Sequence, residues 1–455
     1  MDSKINKAVD LVQSEGVAHI KAEFIIKCDP SKNTASSDES DAENRNGKKR
    51  KNKRGQNKDR EKTMRIEKVP DSEKLCISLS TGVECPSGEK CPFGIRCRAG
   101  MSHMIDGKQI INEKLVEENI TNVFNGITRE HRESLRAKDV KFPRTLEAKK
   151  TIESKKRQVK DLIEGVSPDQ NKYSSSAIFE DQEKVKNKVD FKGKTYLAPL
   201  TTVGNLPFRR ICKEFGVDIT CSEMILCDNI LNGYNTDWAL TKRHSSEDIF
   251  GIQLCGNNFD QIVQTTEVLN NFCKVDFIDL NVGCPIESVF KKGSGSGMLR
   301  SKKRLFSILE GMNLVSKVPI TVKYRTGIGN GENTGLELSL KLQEIGIPLG
   351  TIHGRSRTQR YSKLADWDYI KSVKESVPQL NIFGNGDVFS WEDYWNKIEE
   401  TKVDGIMIGR GALIKPWIFK EINERKVWDI SSRERLDILK KYCNYGLEHW
   451  GTDEM

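Results

Sequence analysis

Short apolar, β-rich runs recur through the second half of the chain: TYLAPL (195–200), ITCSEM (219–224), IFGIQL (249–254), FIDLNVG (277–283), ITVKY (320–324), GTIHG (350–354), NIFGNG (381–386) and GIMIG (405–409). Each reads as a strand. Between them, residues 206–216, 259–273, 302–316, 334–346 and 390–400 carry apolar positions at helical spacing. Eight strands alternating with helices over about 220 residues predict an α/β fold, in count and size a (β/α)8 barrel over 191–430. A doubly wound sheet is the alternative.

The first 190 residues lack this rhythm. A short amphipathic stretch (Val9, Leu11, Val12, Val17, Ile20) leads into SKNTASSDESDAENRNGKKRKNKRG, which has almost nothing to bury. Residues 1–70 therefore read as largely disordered. Residues 71–107 are rich in Cys, Gly and Pro. From 108 to about 165, apolar residues at helical spacing (Ile110, Leu115, Val116, Leu146, Ile152, Leu162, Ile163) predict helices, and SPDQNKYSSS at 167–176 reads as a linker closing a 108–190 helical region. Ser431 and Glu434 form a capping-box pattern ahead of Leu436, Leu439, Cys443 and Leu447, predicting a helix start in 431–455.

Composition sharpens this picture. The 455 residues hold 74 Lys and Arg against 65 Asp and Glu, a balance of +9. The segment Lys48–Arg65 alone has ten basic and two acidic residues, a net +8. Such a block suits a solvated tail, a nuclear-import signal or a polyanion contact. No apolar run approaches the ~20 residues of a membrane span, and the N-terminus lacks the layout of a secretory signal. The expected setting is cytoplasmic or nuclear, with the twelve cysteines reduced, so that a cysteine cluster points to metal or catalysis.

Such a cluster lies in 71–107. Cys76, Cys85, Cys91, Cys97 and His103 are five candidates for a four-ligand Zn²⁺ site. Spacing leaves two options, three cysteines with His103 or four cysteines without it. CPSGEKCPFGIRCRAGMSH resembles RNA-associated CCCH zinc fingers, with Phe93, Arg96 and Arg98 placed to meet bases and phosphates. Its histidine comes late for that pattern.

In a (β/α)8 barrel, catalytic groups sit at the C-terminal ends of the strands. Here those ends carry APLTT, Gln253, NVGCP, KYRTG, HGR, GNGD and GRGA. The glycines of GNGD and GRGA follow strands seven and eight, where this fold commonly binds phosphate, and Arg410 is placed to pair with it. Lys323 and His353 end adjacent strands. Cys284 stands on a loop constrained by Gly283 and Pro285, whereas Cys212, Cys221, Cys227, Cys255 and Cys273 fall within helix or strand patterns and read as buried.

YLAPLTTVGNLPFRRICKEFG, DLNVGCPIESVFKKGSG, VKYRTG, HGRSRTQRYSKLADW, FGNGD and GRGALIKPW occur in an order that resembles the tRNA-dihydrouridine synthases, flavoenzymes that reduce a uracil ring in tRNA. The cysteine-rich region points to the eukaryotic branch acting at position 47, in the variable loop. The resemblance implies FMN held by Pro199, Leu200, Thr201, Gln253, Lys323, His353, Asn385, Gly386, Asp387, Gly409 and Arg410, with NADPH or NADH as reductant. It also implies hydride transfer from the reduced flavin to uracil C6 while Cys284 gives a proton to C5. An ordinary thiol, with a pKa near ~8.5, is mostly protonated at neutral pH and suits that task. Arg325 and Arg355 become candidates for contacts to uracil or RNA phosphate.

The stretch KKGSGSGML departs mildly from the family's glycine pattern beside the cysteine. The family continues into a C-terminal helical domain that helps clamp tRNA, and this chain stops at Met455, implying a truncated domain and weakened RNA binding or activity. tRNA is the expected partner, messenger RNA a further one. Competing readings are a flavin barrel acting on a small molecule and a non-catalytic RNA-binding protein that keeps the barrel as scaffold.

Overall fold

Eight parallel strands close on themselves between Thr195 and Ile408: β1 (Thr195–Leu197), β2 (Ile219–Cys221), β3 (Ile249–Cys255), β4 (Phe277–Val282), β5 (Ile320–Arg325), β6 (Leu349–His353), β7 (Asn381–Asn385) and β8 (Gly405–Ile408). Each pairs in parallel with the next, and β8 returns to β1. The order is cyclic, so the doubly wound alternative does not hold. The structure is a computed structural model and describes residues 104–105, 108–109, 122–163 and 189–450, apart from 330, 360 and 362. The basic segment 48–65, the candidate zinc ligands Cys76, Cys85, Cys91, Cys97 and His103, and the 167–176 linker lie outside the described residues.

The strands are buried on both faces, as parallel strands must be when helices cover them. Alternation divides their side chains into two apolar layers. Leu197, Phe250, Ile252, Leu254, Ile278, Leu280, Ile320, Val322, Ile352, Ile382, Ile406 and Ile408 point outward into the core beneath the helices. Phe191, Tyr196, Ile219, Phe277, Leu349 and Phe383 fill the barrel itself.

The covering helices include α3 (Leu206–Glu214), α4 (Phe259–Phe272), α5 (Lys302–Val315), α6 (Gly335–Ile345), α7 (Trp367–Ser376) and α8 (Trp391–Thr401); all but α7, which is not among the helical stretches read above, lie close to the expected boundaries. Their starts are written locally. Asn205, Asn258 and Asp366 each accept a backbone N–H of the first turn, and Ser390 with Asp393 forms a reciprocal box. The same box, Ser431 with Glu434, opens α10 (Ser432–Trp450) after α9 (Ile418–Glu424).

Ahead of the barrel stand α1 (Arg129–Ala137) and α2 (Pro143–Ile163), the latter packed on α4 and α5. Glu267 of α4 accepts the backbone N–H groups of Arg144 and Thr145 and the Thr145 hydroxyl, placing a carboxylate at the positive end of α2. Ala148 and Ile152 are buried by this docking, but Leu146 and Ile163, read above as members of the apolar stripe, are 57% and 80% exposed. Helical spacing alone did not distinguish the two faces. Among the described residues, no helix is long and apolar enough to cross a membrane.

Inside the barrel an added Cβ at Gly251 would lie 2.2 Å from the Phe277 ring. Gly251→Ala therefore overpacks the interior and should cost about 1–3 kcal/mol, seen as a lower urea midpoint. An unchanged midpoint would show that the ring has room to move.

Candidate active site

Register converts the alternation of the strands into layers inside the barrel. Asp279 lies beside Gln253 and Thr321; one step up, Asn281 is beside Lys323, and at the top Arg325 is beside His353, which adjoins Asn385. The interior thus changes from aromatic to polar toward the C-terminal strand ends. There a cavity encloses about 1050 Å³ of empty space, solvent at its mouth included.

Every barrel residue expected to hold a cofactor lines this cavity. Pro199, Leu200 and Thr201 come from the loop after β1, and Gln253, Lys323 and His353 from β3, β5 and β6. Asn385, Gly386 and Asp387 follow from β7, and Gly409 and Arg410 from the turn after β8. Cys284 and Arg325 line it too. Gly386 has φ +130°, and a Cβ there would sit 2.6 Å from that of Ala365, so the β7 turn requires glycine.

The Cys284 loop is held from several sides. Asn281 Oδ1 accepts the backbone N–H groups of Gly283 (3.0 Å) and Cys284 (2.8 Å), while Arg325 Nε donates to the Gly283 carbonyl at 2.8 Å. The Cys284 carbonyl accepts from the Ser296 hydroxyl (2.7 Å) and backbone N–H (3.2 Å). Gly295 has φ +55°, and a Cβ on it would come within 2.8 Å of the Cys284 Cβ. The GSGSG stretch therefore packs directly on the cysteine, its Ser296 hydroxyl supplying one hydrogen bond that glycine would lack. Cys212, Cys221, Cys227 and Cys255 are buried and Cys284 is partly exposed, as expected; Cys273, expected to be buried, is partly exposed just past the end of α4.

Burial governs the charges here. It pushes the Asp279 carboxyl up to about 6 against the opposing hydrogen bonds of Thr321 and Gln253. Burial, helped by the Arg325 charge, lowers the Lys323 ammonium to about 8. His353 is driven well below its ordinary value by burial and then by Lys323, Arg325, Arg355 and Arg410, so its ring is neutral. Of the two groups read above as facing a cofactor, Lys323 is therefore the cation. Burial also disfavours the Asp387 carboxylate, but Arg355, the Ala365 N–H and Arg410 overcome it and hold the group below its ordinary value.

One expectation needs correcting. Arg355 is 1% exposed, with Nη2 at 2.6 Å from Asp387 Oδ2 and Nε donating to the Lys363 carbonyl. It is a buried anchor for Asp387 and has no surface to offer RNA. Arg325 lines the cavity and remains placed for a ligand. The sequence reading missed Asp279 and Asn281, although both break the apolar run FIDLNV at alternate positions. It also missed Tyr361, 61% exposed at the mouth, whose ring lies 3.9 Å from the Arg410 guanidinium carbon.

Fold and site together define a parallel (β/α)8-barrel protein with a ligand cavity at its C-terminal face and a thiol on the rim. Residues 196–451 match the family model described as Dihydrouridine synthase (Dus), and the chain belongs to that family. It is 47% identical over 369 residues to the tRNA-dihydrouridine(47) synthase [NAD(P)(+)]-like protein of Xenopus tropicalis, covering 77% of this chain and 58% of that one. The Homo sapiens protein of the same name is 54% identical over 268 residues, covering 59% and 41%. The tRNA-dihydrouridine(47) synthase [NAD(P)(+)] of Coprinopsis cinerea is 53% identical over 281 residues, covering 59% and 42%. The chain thus spans 41–58% of the length of these relatives.

Lys323 gives the site a pH signature. Its ammonium titrates near 10.5 when unfolded and at about 8 when folded, so between those values the unfolded chain holds more protons and stability rises with pH. In the protein free of ligands, the wild type should gain stability relative to Lys323→Met as pH rises from 8 towards 10. Urea titrations at several pH values measure this, and parallel curves would remove the buried cation from the site.

Proposed function

We propose that this barrel binds FMN and, with NAD(P)H as reductant, reduces a uridine of tRNA to 5,6-dihydrouridine, the position being 47 in the variable loop. The observation that carries the reading is the convergence of twelve residues from seven separate segments, Cys284 and the eleven expected cofactor contacts, on one cavity. Family membership and the printed names of the relatives support it.

The cavity suits the cofactor on its own terms. The turns after β7 and β8 offer Gly386, Gly409 and Arg410 to a phosphate, while Pro199, Leu200 and Thr201 flank a ring system whose polar edge would meet Gln253, Lys323 and His353. Reduced FMN supplies a hydride when bound. Lys323 brings the positive charge that favours an anionic ring, and the neutral His353 adds shape and hydrogen bonding without a second charge.

Cys284 stands on the rim, where its thiol donates the proton that uracil C5 receives. The loop that carries it is fixed by Asn281, Arg325 and Ser296, so the thiol is oriented before substrate arrives. A uracil inside folded RNA must leave its stack to reach this depth. Ile286 and Tyr361, half or more exposed beside the cavity, offer it an apolar edge and an aromatic face. Lys and Arg contacts to phosphates would hold the rest of the RNA, making binding steeply salt-dependent. The Cys76, Cys85, Cys91, Cys97 and His103 set is read as a Zn²⁺ site of an RNA-binding finger, from its ligand chemistry alone.

Incubation of the purified protein with NADPH and an unmodified tRNA transcript, followed by mapping of dihydrouridine, tests the reading. Cys284→Ala should lower product formation by ~10²–10⁴-fold while the yellow flavin absorbance persists. Undiminished product would remove Cys284 from the chemistry, and absence of flavin absorbance from the wild type would remove the flavin. Elemental analysis should find one zinc per chain, lost in a Cys85→Ser, Cys91→Ser variant. Unchanged zinc would refute that ligand set.

A further inference from the structure

Beneath the cavity runs a hydrogen-bonded chain that ends on the backbone of the reactive cysteine. Thr321 Oγ1 donates to Asp279 Oδ1 at 2.6 Å, and Gln253 Nε2 donates to Asp279 Oδ2 at 2.8 Å. Asn281 Nδ2 donates to Gln253 Oε1 at 2.9 Å, and Asn281 Oδ1 receives the N–H groups of Gly283 and Cys284. Asp279 and Gln253 are 1% exposed and Asn281 9%, so bulk water has little access to replace a broken link.

A carboxamide has nearly the same shape when its oxygen and nitrogen exchange places. Its direction is set by the partners. At one end of this chain an ionised carboxylate can only accept; at the other, two peptide N–H groups can only donate. Two carboxamides between such ends satisfy every link in one direction and no other. That direction uses both acceptor positions of Asn281 and leaves it one N–H for whatever occupies the cavity.

We propose that Asp279 is a positioning residue, whose oxygen fixes the direction of the Gln253 and Asn281 carboxamides and thereby holds the backbone of Cys284 in place. Asp279 touches neither the cavity nor the thiol. It acts through two intermediates, and its role in turnover, unlike its role in positioning, rests on the function proposed above.

Two substitutions separate this role from mere packing. Asp279→Asn keeps an oxygen for Gln253 and turns its own N–H groups towards Thr321 Oγ1, which can accept. Asp279→Leu has similar volume and offers no acceptor. Each full-length chain is treated with iodoacetamide, and alkylation of Cys284 is mapped by mass spectrometry against exposed Cys443. In Asp279→Leu the ratio of Cys284 to Cys443 labelling should rise about fivefold, the effect of losing one buried hydrogen bond on a loop's opening. In Asp279→Asn it should stay within about twofold of wild type.

With NADPH and tRNA, reoxidation of the Asp279→Leu flavin by tRNA should slow by more than about tenfold, and by more than its bleaching does, because Cys284 acts only in the second step. A ratio unchanged in the Leu variant would overturn the proposal. So would an Asn variant as perturbed as Leu, since charge rather than the acceptor oxygen would then be at work. If Asp279→Leu does not fold, Gln253→Met cuts the same chain one link nearer and should raise the ratio equally. If wild-type protein reduces no uridine while the thiol ratios behave as stated, the functional reading fails and the positioning role stands.

Discussion

Aromatic rings stop the lower end of the barrel, and the chemistry at its mouth depends on that plug. Phe277 meets Phe191 and Tyr196 edge-on at 5.7 and 6.0 Å, and Tyr196 meets Phe383 at 6.2 Å. Gly251 and Gly405 supply the space, because a Cβ on either would lie within 2.4 Å of a ring. Water is thereby kept from reaching Asp279 from below, and Lys323 stands one step higher, on the cavity wall. Their opposite shifts, one pushed up and one down, have the same leading cause, the cost of charge away from water. Asp279 is 1% exposed, so solvent competes little for its hydrogen bonds, and its carboxylate at one end with two peptide N–H groups at the other sets the direction of both carboxamides.

Strand positions, most helix starts and the strand-end segments that form the cavity could be read from the sequence because each has a local cause, whereas the individual cofactor contacts among them come from the family resemblance. Buried parallel strands are short apolar runs, helices between them carry apolar residues at helical spacing, and barrel geometry collects strand ends at one face. Inward and outward faces were harder to separate, since both are apolar over most of each strand. The signal lay in the exceptions: Asp279 and Asn281 in FIDLNV, and Thr321, Lys323 and Arg325 in ITVKYR, alternate with aliphatic or aromatic residues and mark the inside. Pairings between distant loops left no such trace. Arg355 and Asp387 are 32 positions apart, and the pairing of β6 with β7 brings them together.

The last helix shows how the periphery supports the mouth. On α10, Lys441 and Tyr445 meet Glu214 of α3, and Arg210 of α3 stacks 3.6 Å over Tyr445 while bonding His449 at 2.8 Å. Tyr442 accepts from Asn205, the residue that caps α3. The loop from Pro199 to Gly204 runs directly into that cap. Docking of α10 therefore restricts the α3 entry, and with it the stretch that lines the cavity after β1, although α10 contributes no residue to the cavity.

The turn after β7 combines strain with restraint. Asp387 has φ +54°, a left-handed backbone that costs a non-glycine residue roughly 1 kcal/mol. Its carboxylate is gripped by Arg355 through both oxygens, by Arg410 at 2.7 Å and by the Ala365 N–H at 2.7 Å. Charge-assisted bonds of this kind exceed that strain. They also join three separate segments, since Arg355 follows β6, Asp387 follows β7 and Arg410 follows β8. A phosphate bound at Gly386 and Gly409, as proposed, would meet turns already fixed relative to one another. Ordering those turns is then part of folding, and binding does not bear its cost. The conformation is held most tightly where its backbone is least favourable, and the ion pairs that hold it are the reason Arg355 is buried away from any RNA.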